Sequence, residues 1–359
     1  MAGIKISIIV ATFNSESTLP QVLASIDRQK FPKKSIETLV VDGGSTDRTK
    51  QIARKFGARI INNPKTQQNY AKFLGFTRSH GRYLLFLDSD EMLVDPTSLR
   101  RKIDFFSKHH EIKVAIPSGY LTGPKNSIVA NFVNEFGDPF SFFIYRLSKS
   151  SDRFIRTMRG RYPVRLENDN FLVVEIKNAS QIPILELTAG GSMFDSIYFR
   201  QNFPTAIRGP ELLNHAFYLI NSLSPLLAIT KDDPIIHHPS GSLKNYLNKL
   251  SWRIKNNIYF KDTMGISGYS GREEYQIGLT NRLKKFMFIP YCLTILFPVV
   301  DSISLSVSRK DVKYLLHFPL SEYTAMLIIF HLVAKSFGIM PSLNTYGSNQ
   351  LIQNCRGMG

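Results

Sequence analysis

Over its first third the chain switches repeatedly between the two-residue period of a strand and the 3.6-residue period of a helix. Lys5 to Val10 is a β-branched run that predicts a strand. After the polar Asn14-Ser15-Glu16-Ser17, the apolar Leu19, Val22, Leu23 and Ile26 recur at helical spacing. Ile36 to Val41 predicts a second strand, interrupted by Glu37 and Thr38 and closed by Asp42-Gly43-Gly44. A helix from about Thr46 is expected to bury Ile52 and Phe56, with Gly57 at the usual stop position. Ala58 to Ile61 predicts a third strand, and Tyr70, Leu74 and Thr77 fall on one face of a helix that Gly81 ends. Tyr83 to Leu87 predicts a fourth strand, running straight into Asp88-Ser89-Asp90-Glu91. Asp95-Pro96 then caps a helix carrying Leu99, Ile103 and Phe106, and Ile112 to Ile116 predicts a fifth strand.

Strand–helix alternation of this kind implies an α/β fold: a Rossmann-like, mostly parallel sheet with helices on both faces. Ligands of such sheets bind beyond the carboxyl ends of the strands, where Asp42 and Asp88 stand. From about Leu121 to Phe203 the pattern loosens into a mixed region with shorter strands such as Phe171 to Ile176. Arg153, Arg156, Arg159, Arg161 and Arg165 cluster there, as either a solvated face or a phosphate or lipid contact.

The end of the chain is a helical, partly apolar appendage. Phe286 to Val300 and Tyr323 to Ala334 are nearly unbroken apolar stretches. As a helix the first would span about 22 Å, short of the ~30 Å hydrocarbon core, and Pro290 and Pro298 interrupt it while His331 sits in the second. In-plane or re-entrant membrane association is expected, flanked by Arg282, Lys284, Lys285, Arg309, Lys310 and Lys313; the alternative is buried core or dimer helices. The expected division is residues 1–240 as one α/β domain, with a ligand-binding half at 1–120 and a second half at 121–240. Residues 241–359 form the basic and apolar helical region.

Composition narrows the class. Hydrophobic residues at 43% and charged residues at 20% exclude wholesale disorder. Cys292 and Cys355 make no disulfide framework, which fits a reducing compartment. The apolar run Ile6 to Ala11 is too short for a signal-peptide core and reads as a first strand. A net charge of +17 calls for an anionic partner: nucleic acid, an anionic membrane surface or phosphate-bearing ligands, unless it is simply a soluble basic surface. No nucleic-acid module is present, so no nucleic-acid partner is expected.

Asp88 and Asp90 flank one small residue, Ser89, on a turn just past a strand, and such spacing directs two carboxylates toward one pocket. Carboxylates with phosphate oxygens are the ligands of hard divalent cations. In Asp42-Gly43-Gly44-Ser45-Thr46-Asp47 the glycines let backbone approach a ligand, and the last three residues cap a helix.

Three segments, Ser7-Ile8-Ile9-Val10-Ala11-Thr12-Phe13-Asn14, Val40-Val41-Asp42-Gly43-Gly44-Ser45-Thr46-Asp47 and Phe86-Leu87-Asp88-Ser89-Asp90-Glu91, resemble in order and spacing the signatures of family-two glycosyltransferases. The resemblance covers about the first 120 residues and implies the GT-A fold, with inverting hexosyl-type transfer from a nucleotide-sugar donor assisted by Mn²⁺ or Mg²⁺. Carried over residue by residue, Ala11, Thr12, Phe13 and Glu16 would line the nucleobase and ribose site with Asp42. Asp88 would face the ribose or the metal, with Ser89 beside it, and Asp90 would ligate the metal. Tyr70-Ala71-Lys72 resembles the helix beneath the donor, which makes Lys72 a donor contact.

Gly190-Gly191-Ser192-Met193-Phe194 resembles the family's acceptor-side glycine segment, and Pro210-Glu211-Leu212 falls where relatives carry Glu-Asp, the Asp being the catalytic base. Leu212 departs from that pattern. Glu211 is then the expected base, with Asp195 as fallback, unless the acceptor is an already anionic phosphate that needs none. His237, in Ile235-Ile236-His237-His238, resembles a strand-end histidine that completes the metal or diphosphate site. The acceptor is expected to be a lipid-linked or cell-surface glycan precursor, of polyprenyl-phosphate type, at the cytoplasmic face of the membrane. The missing base leaves one rival, an inactive nucleotide-sugar-binding or scaffold protein of the same fold. A nucleotidyltransferase would need a glycine-rich, basic loop after the first strand, and Thr12-Phe13-Asn14-Ser15 lacks it.

Overall fold

A computed structural model describes residues 4–123, 126–177, 179, 181–239, 242–260 and 271–341; Cys355 lies outside them. The chain divides into two compact units. One comprises Met1–Leu121, Lys149–Ala179 and Leu185–His238; the other comprises Thr122–Ser148, Ser180–Ile184 and Pro239–Gly359.

The first unit is built on a sheet whose strands are β1 (Ile6–Thr12), β2 (Ile36–Asp42), β3 (Arg59–Asn62) and β4 (Tyr83–Asp88), continued by the later strands. β5 (Glu91–Leu93), β6 (Val114–Ile116), β7 (Gly119–Tyr120), β8 (Val164–Glu167) and β9 (Phe171–Glu175) follow, then β10 (Met193–Asp195), β11 (Leu226–Thr230) and β12 (Pro234–His237). The large sheet runs β3-β2-β1-β4-β10-β6-β11-β9-β8, and β5-β12-β7 form a small second sheet. All seven residues of β1 are buried, as a central strand covered on both faces requires.

The parallel half is as the sequence predicts: β3, β2, β1 and β4 run together. Beyond β4 the sheet is mixed, because β10 inserts antiparallel between β4 and β6 and β9 pairs antiparallel with β11 and β8. These pairings join strands far apart in sequence, so their direction could not be inferred from alternation.

Helix α1 (Leu19–Asp27) buries Leu19, Val22, Leu23 and Ile26 as spaced. Helix α2 (Thr49–Lys55) ends one residue before Phe56, which therefore caps the helix at 40% exposure instead of packing beneath it. Helix α3 (Gln68–Arg78) buries Ala71, Lys72, Phe73, Gly75 and Phe76, not the expected Tyr70, Leu74 and Thr77 face. Two features turn it. A side chain at Gly75 would collide with Ile9 of β1, so the helix lies directly on that strand, and Lys72 is drawn inward to Asp88. Helix α4 (Ser98–Lys108) buries Leu99, Ile103 and Phe106 and is tied to the segment entering β12 by a fully buried pair, Lys102 with Asp233, which Ser98 also bonds.

The second unit takes residues 122–148 and 180–184 from the half in which they were expected. Their aromatic residues explain this: Phe132, Phe136 and Phe142 share one core with Tyr246, Leu250, Leu305 and Tyr314. Its C-terminal stretch is broken. Leu279–Leu293 and Leu296–Arg309 meet at 93°, with Ile295 at φ 58° in the joint. Helix His317–Ser336 follows, and Val312–Ser336 is long and apolar enough to cross a membrane.

The Lys102–Asp233 pair makes a stability prediction. Lys102→Met should cost about 3–5 kcal/mol by urea unfolding, because Asp233 is left charged and buried. Adding Asp233→Leu should recover most of it. A single-mutant loss below about 1 kcal/mol would show that the pair does not hold β12 in place.

Candidate functional site at the carboxyl edge of the parallel strands

The register of the parallel strands assembles one polar edge. Thr12 lies opposite Asp42 and Ala11 opposite Asp88, so the ends of β1, β2 and β4 are adjacent. The loops leaving β1 and β2 are laced together. Asn14 N–H donates to Ser45 Oγ (2.8 Å), Ser15 N–H to Thr49 Oγ1 (2.8 Å), Glu16 N–H to Asp47 Oδ2 (3.0 Å) and Thr46 N–H to Asn14 Oδ1 (2.9 Å). Glu16 in turn accepts from Arg48 N–H at 3.0 Å. Phe13 is half-buried at this rim, and Ala11 and Thr12 are buried beneath it.

Asp42 does something other than expected. Its Oδ2 accepts the amides of Gly44 (3.1 Å) and Ser45 (3.0 Å), and its Oδ1 takes the hydroxyls of Ser45 (2.5 Å) and Thr12 (3.4 Å). At 1% exposure it is committed to its own turn. It shapes the loop, and burial with complete hydrogen bonding is what a turn anchor requires.

Past β4 the acidic run separates into three roles. Asp88 accepts Lys72 Nζ and Gln68 Nε2, both at 2.8 Å. Burial works against the Lys72 ammonium, but Asp88, Glu186 and Glu91 outweigh it and hold it above the usual lysine range. Asp88 is thus half of an ion pair with Lys72. Ser89 is half-buried on the turn between them. Asp90 is brought to His237 by the pairing of β5 with β12, in which His237 lies opposite Glu91; Asp90 Oδ2 and His237 Nε2 are 3.6 Å apart.

Glu91, third in the run, received no role from the sequence and is the organiser of the edge. At 2% exposure its Oε2 accepts the amides of Asp88 (2.9 Å) and Gly190 (2.7 Å), while Oε1 accepts the Tyr120 hydroxyl (2.9 Å). Burial and the neighbouring Asp88 push it up to about 7, against the pull of His237. Burial, then Glu91, keeps the Tyr120 phenol well above its usual range and so protonated as a donor. Gly190 and Gly191 both adopt left-handed φ (64° and 66°), and a side chain at Gly190 would meet the Tyr120 hydroxyl at 2.6 Å.

The two candidate bases do not join this edge. Asp195 pairs opposite Tyr83, the first residue of β4, because β10 runs antiparallel; Asp88 is five residues further on, about 17 Å along the strand. There Asp195 caps the helix Ser196–Asn202 through Tyr198 N–H (3.0 Å) and pairs with Arg82 at 3.3 Å. Its antiparallel direction, invisible in sequence, removes it from the site. Glu211 is exposed on the turn before the short helix Leu213–His215, and its carboxylate folds back over Gly209. In the arginine cluster, Arg159 and Arg165 are paired with Glu167 and Glu175.

A divalent cation suits Asp90 and His237, which face one another without a hydrogen-bonding distance between them. Among the described residues no three His, Cys, Asp or Glu side chains converge, so other ligands would have to come with the nucleotide, as hard cations on phosphates commonly require.

Residues 7–159 match the sequence model of Glycosyl transferase family 2. The poly(ribitol-phosphate) β-N-acetylglucosaminyltransferase TarS of Staphylococcus aureus is 33% identical over 114 residues, 30% of this chain and 19% of that protein. A PGL/p-HBAD biosynthesis glycosyltransferase of Mycobacterium bovis is 38% identical over 115 residues, 30% of this chain and 44% of that one. The chain therefore spans less than half the length of either relative. Among solved structures, a mannosyltransferase of Pyrobaculum calidifontis in complex with GDP-Man and Mn²⁺ superimposes with a TM-score of 0.50 at 11% identity, over 93% of this chain and 89% of that one. The β1–β4 motifs, the mixed sheet and the match over residues 7–159 agree: that segment is similar to glycosyl transferase family 2, and the chain has a GT-A-like α/β fold.

Proposed function

We propose that the protein transfers a sugar from a nucleoside-diphosphate sugar to an acceptor hydroxyl by a single inverting displacement. The observation that carries this is the carboxyl edge itself: Asp88–Lys72, Asp90–His237 and the laced loops after β1 and β2 meet at one end of the parallel strands. The nucleoside would lie along Ala11, Thr12, Phe13 and the turn that Asp42 holds. Lys72, kept cationic, offsets charge on the departing diphosphate. Asp90 and His237 would hold Mn²⁺ or Mg²⁺, which when bound neutralises the leaving group as a Lewis acid. Mn²⁺ with GDP-Man in the Pyrobaculum enzyme supports that choice of cofactor and donor class.

The acceptor in this reading is a lipid-linked glycan precursor presented at the cytoplasmic face of the membrane. Support comes from the second unit, which buries several polar side chains and leaves many large apolar ones exposed on its helices. Ser302, His317, Ser321, Thr324 and His331 are buried, while Leu293, Phe297, Val307, Phe330 and Phe337 are more than half exposed. Only 33% of the apolar window in Val312–Ser336 is buried. Contiguous apolar exposure on that scale needs a partner, and a charge of +17 favours an anionic lipid surface.

Two measurements test the proposal. In a thermal-shift screen of UDP-N-acetylglucosamine, UDP-glucose and GDP-mannose, one donor should raise Tm by several degrees with Mn²⁺ and much less without it. Asp90→Ala should abolish the metal-dependent part. No shift with any of the three, or an unchanged shift in Asp90→Ala, contradicts the donor site. In flotation assays the full chain should rise with phosphatidylglycerol-containing vesicles and do so about tenfold less in Leu293→Glu/Phe297→Glu/Phe330→Glu. Equal recovery of both proteins contradicts the membrane seat.

A further inference from the structure

Tyr120 meets the polar edge through its backbone, its hydroxyl and its ring. The backbone is fixed in β7: Tyr120 N–H donates to the carbonyl of Lys149 (2.8 Å), and the Tyr120 carbonyl accepts Ser151 N–H (2.9 Å). In the small sheet Tyr120 lies beside Ile235 of β12. His237 is two residues further along the same face of β12, the diagonal position at which long side chains of neighbouring strands meet. The two rings accordingly stand 5.5 Å apart, centroid to centroid, inclined at 47°.

The hydroxyl reaches a different part of the edge. It donates to Glu91 Oε1 at 2.9 Å, while Glu91 Oε2 holds the amides of Asp88 (2.9 Å) and Gly190 (2.7 Å). Glu91 is 2% exposed, so loss of that donor leaves a buried acceptor without the partner it has now. The carboxylate must then turn toward another donor and release the amides on its second oxygen. Gly190 closes the arrangement. A side chain there would stand 2.6 Å from the Tyr120 hydroxyl, so the glycine leaves the room in which the hydroxyl reaches Glu91.

We propose that Tyr120 is a positioning residue for sugar transfer: its hydroxyl, through Glu91, fixes the turn carrying Asp88 and Asp90, and its ring fixes the imidazole of His237 opposite Asp90. The inference rests on the transferase reading, in which Asp90 and His237 hold the cation. These two groups come from separate segments, the turn after β4 and the end of β12, and Tyr120 on a third strand braces both. Groups that orient metal ligands typically cost about 10- to 100-fold in metal affinity or activity when removed.

The test is Mn²⁺ titration of the full chain, followed by electron paramagnetic resonance, with saturating UDP or GDP, whichever the wild type binds with the metal. Tyr120→Phe removes the hydroxyl alone and should raise the Mn²⁺ Kd about tenfold. Tyr120→Leu removes the ring contact as well and should raise it about 30-fold or more. Metal-free binding of the same nucleotide should stay within threefold of wild type in both, which a general loosening of the fold would not allow. Gly190→Ala should weaken Mn²⁺ binding by a smaller factor in the Tyr120→Phe background than in the wild type, because the hydroxyl it displaces is already gone. If Tyr120→Leu does not fold, Tyr120→Phe and the Gly190→Ala comparison decide. A Tyr120→Phe Kd within threefold of wild type, an equal loss of metal-free nucleotide binding, or a Gly190→Ala effect as large in the Tyr120→Phe background would each overturn the assignment and leave the transferase reading standing. A wild type that binds Mn²⁺ with neither nucleotide overturns both.

Discussion

The buried Glu91 carboxylate is the constraint on which the polar edge depends. One side chain fastens three segments remote in sequence: the end of β4 through the Asp88 amide, β7 through the Tyr120 hydroxyl and the glycine turn through the Gly190 amide. A carboxylate taken out of water is tolerated only when its lone pairs are filled, and here three donors fill them. The arrangement fixes the surroundings of Asp88, and the same β5 strand sets Asp90 against His237.

The parallel half of the fold and its polar edge were legible because their determinants are local. A β-branched run, a polar break and a helical period specify β1 through β4, and parallel pairing then brings Asp42 and Asp88 to one edge. Three things were not legible. The direction of β10 depends on a pairing between residues 85 and 193, which sets Asp195 opposite Tyr83. The inward face of α3 depends on Gly75 meeting Ile9 and on a buried lysine, which no apolar period records. Glu91 gains its surroundings from non-local contacts, although it could have drawn notice as the third carboxylate of Asp88-Ser89-Asp90-Glu91.

In the second unit the same physical rules hold the buried polar side chains. Its interior carries hydrogen-bonded polar groups: Glu135 accepts from Tyr314, Ser148 and Arg309, and Tyr291 joins Asp301 to His317. Its outside carries leucine, phenylalanine and valine. The C-terminal stretch breaks at Ile295, where the segments Leu279–Leu293 and Leu296–Arg309 meet at 93°.

The central claim is that the carboxyl edge of β1, β2 and β4 is a nucleotide-sugar site completed by a cation at Asp90. Anomalous diffraction from crystals grown with Mn²⁺ and the matching nucleoside diphosphate tests it most directly. The account predicts one manganese peak within bonding distance of Asp90, with the nucleotide along Thr12 and Phe13 and its diphosphate toward Lys72. A nucleotide at the opposite end of the sheet, beside Asp195, or a metal bound away from Asp90, would contradict it.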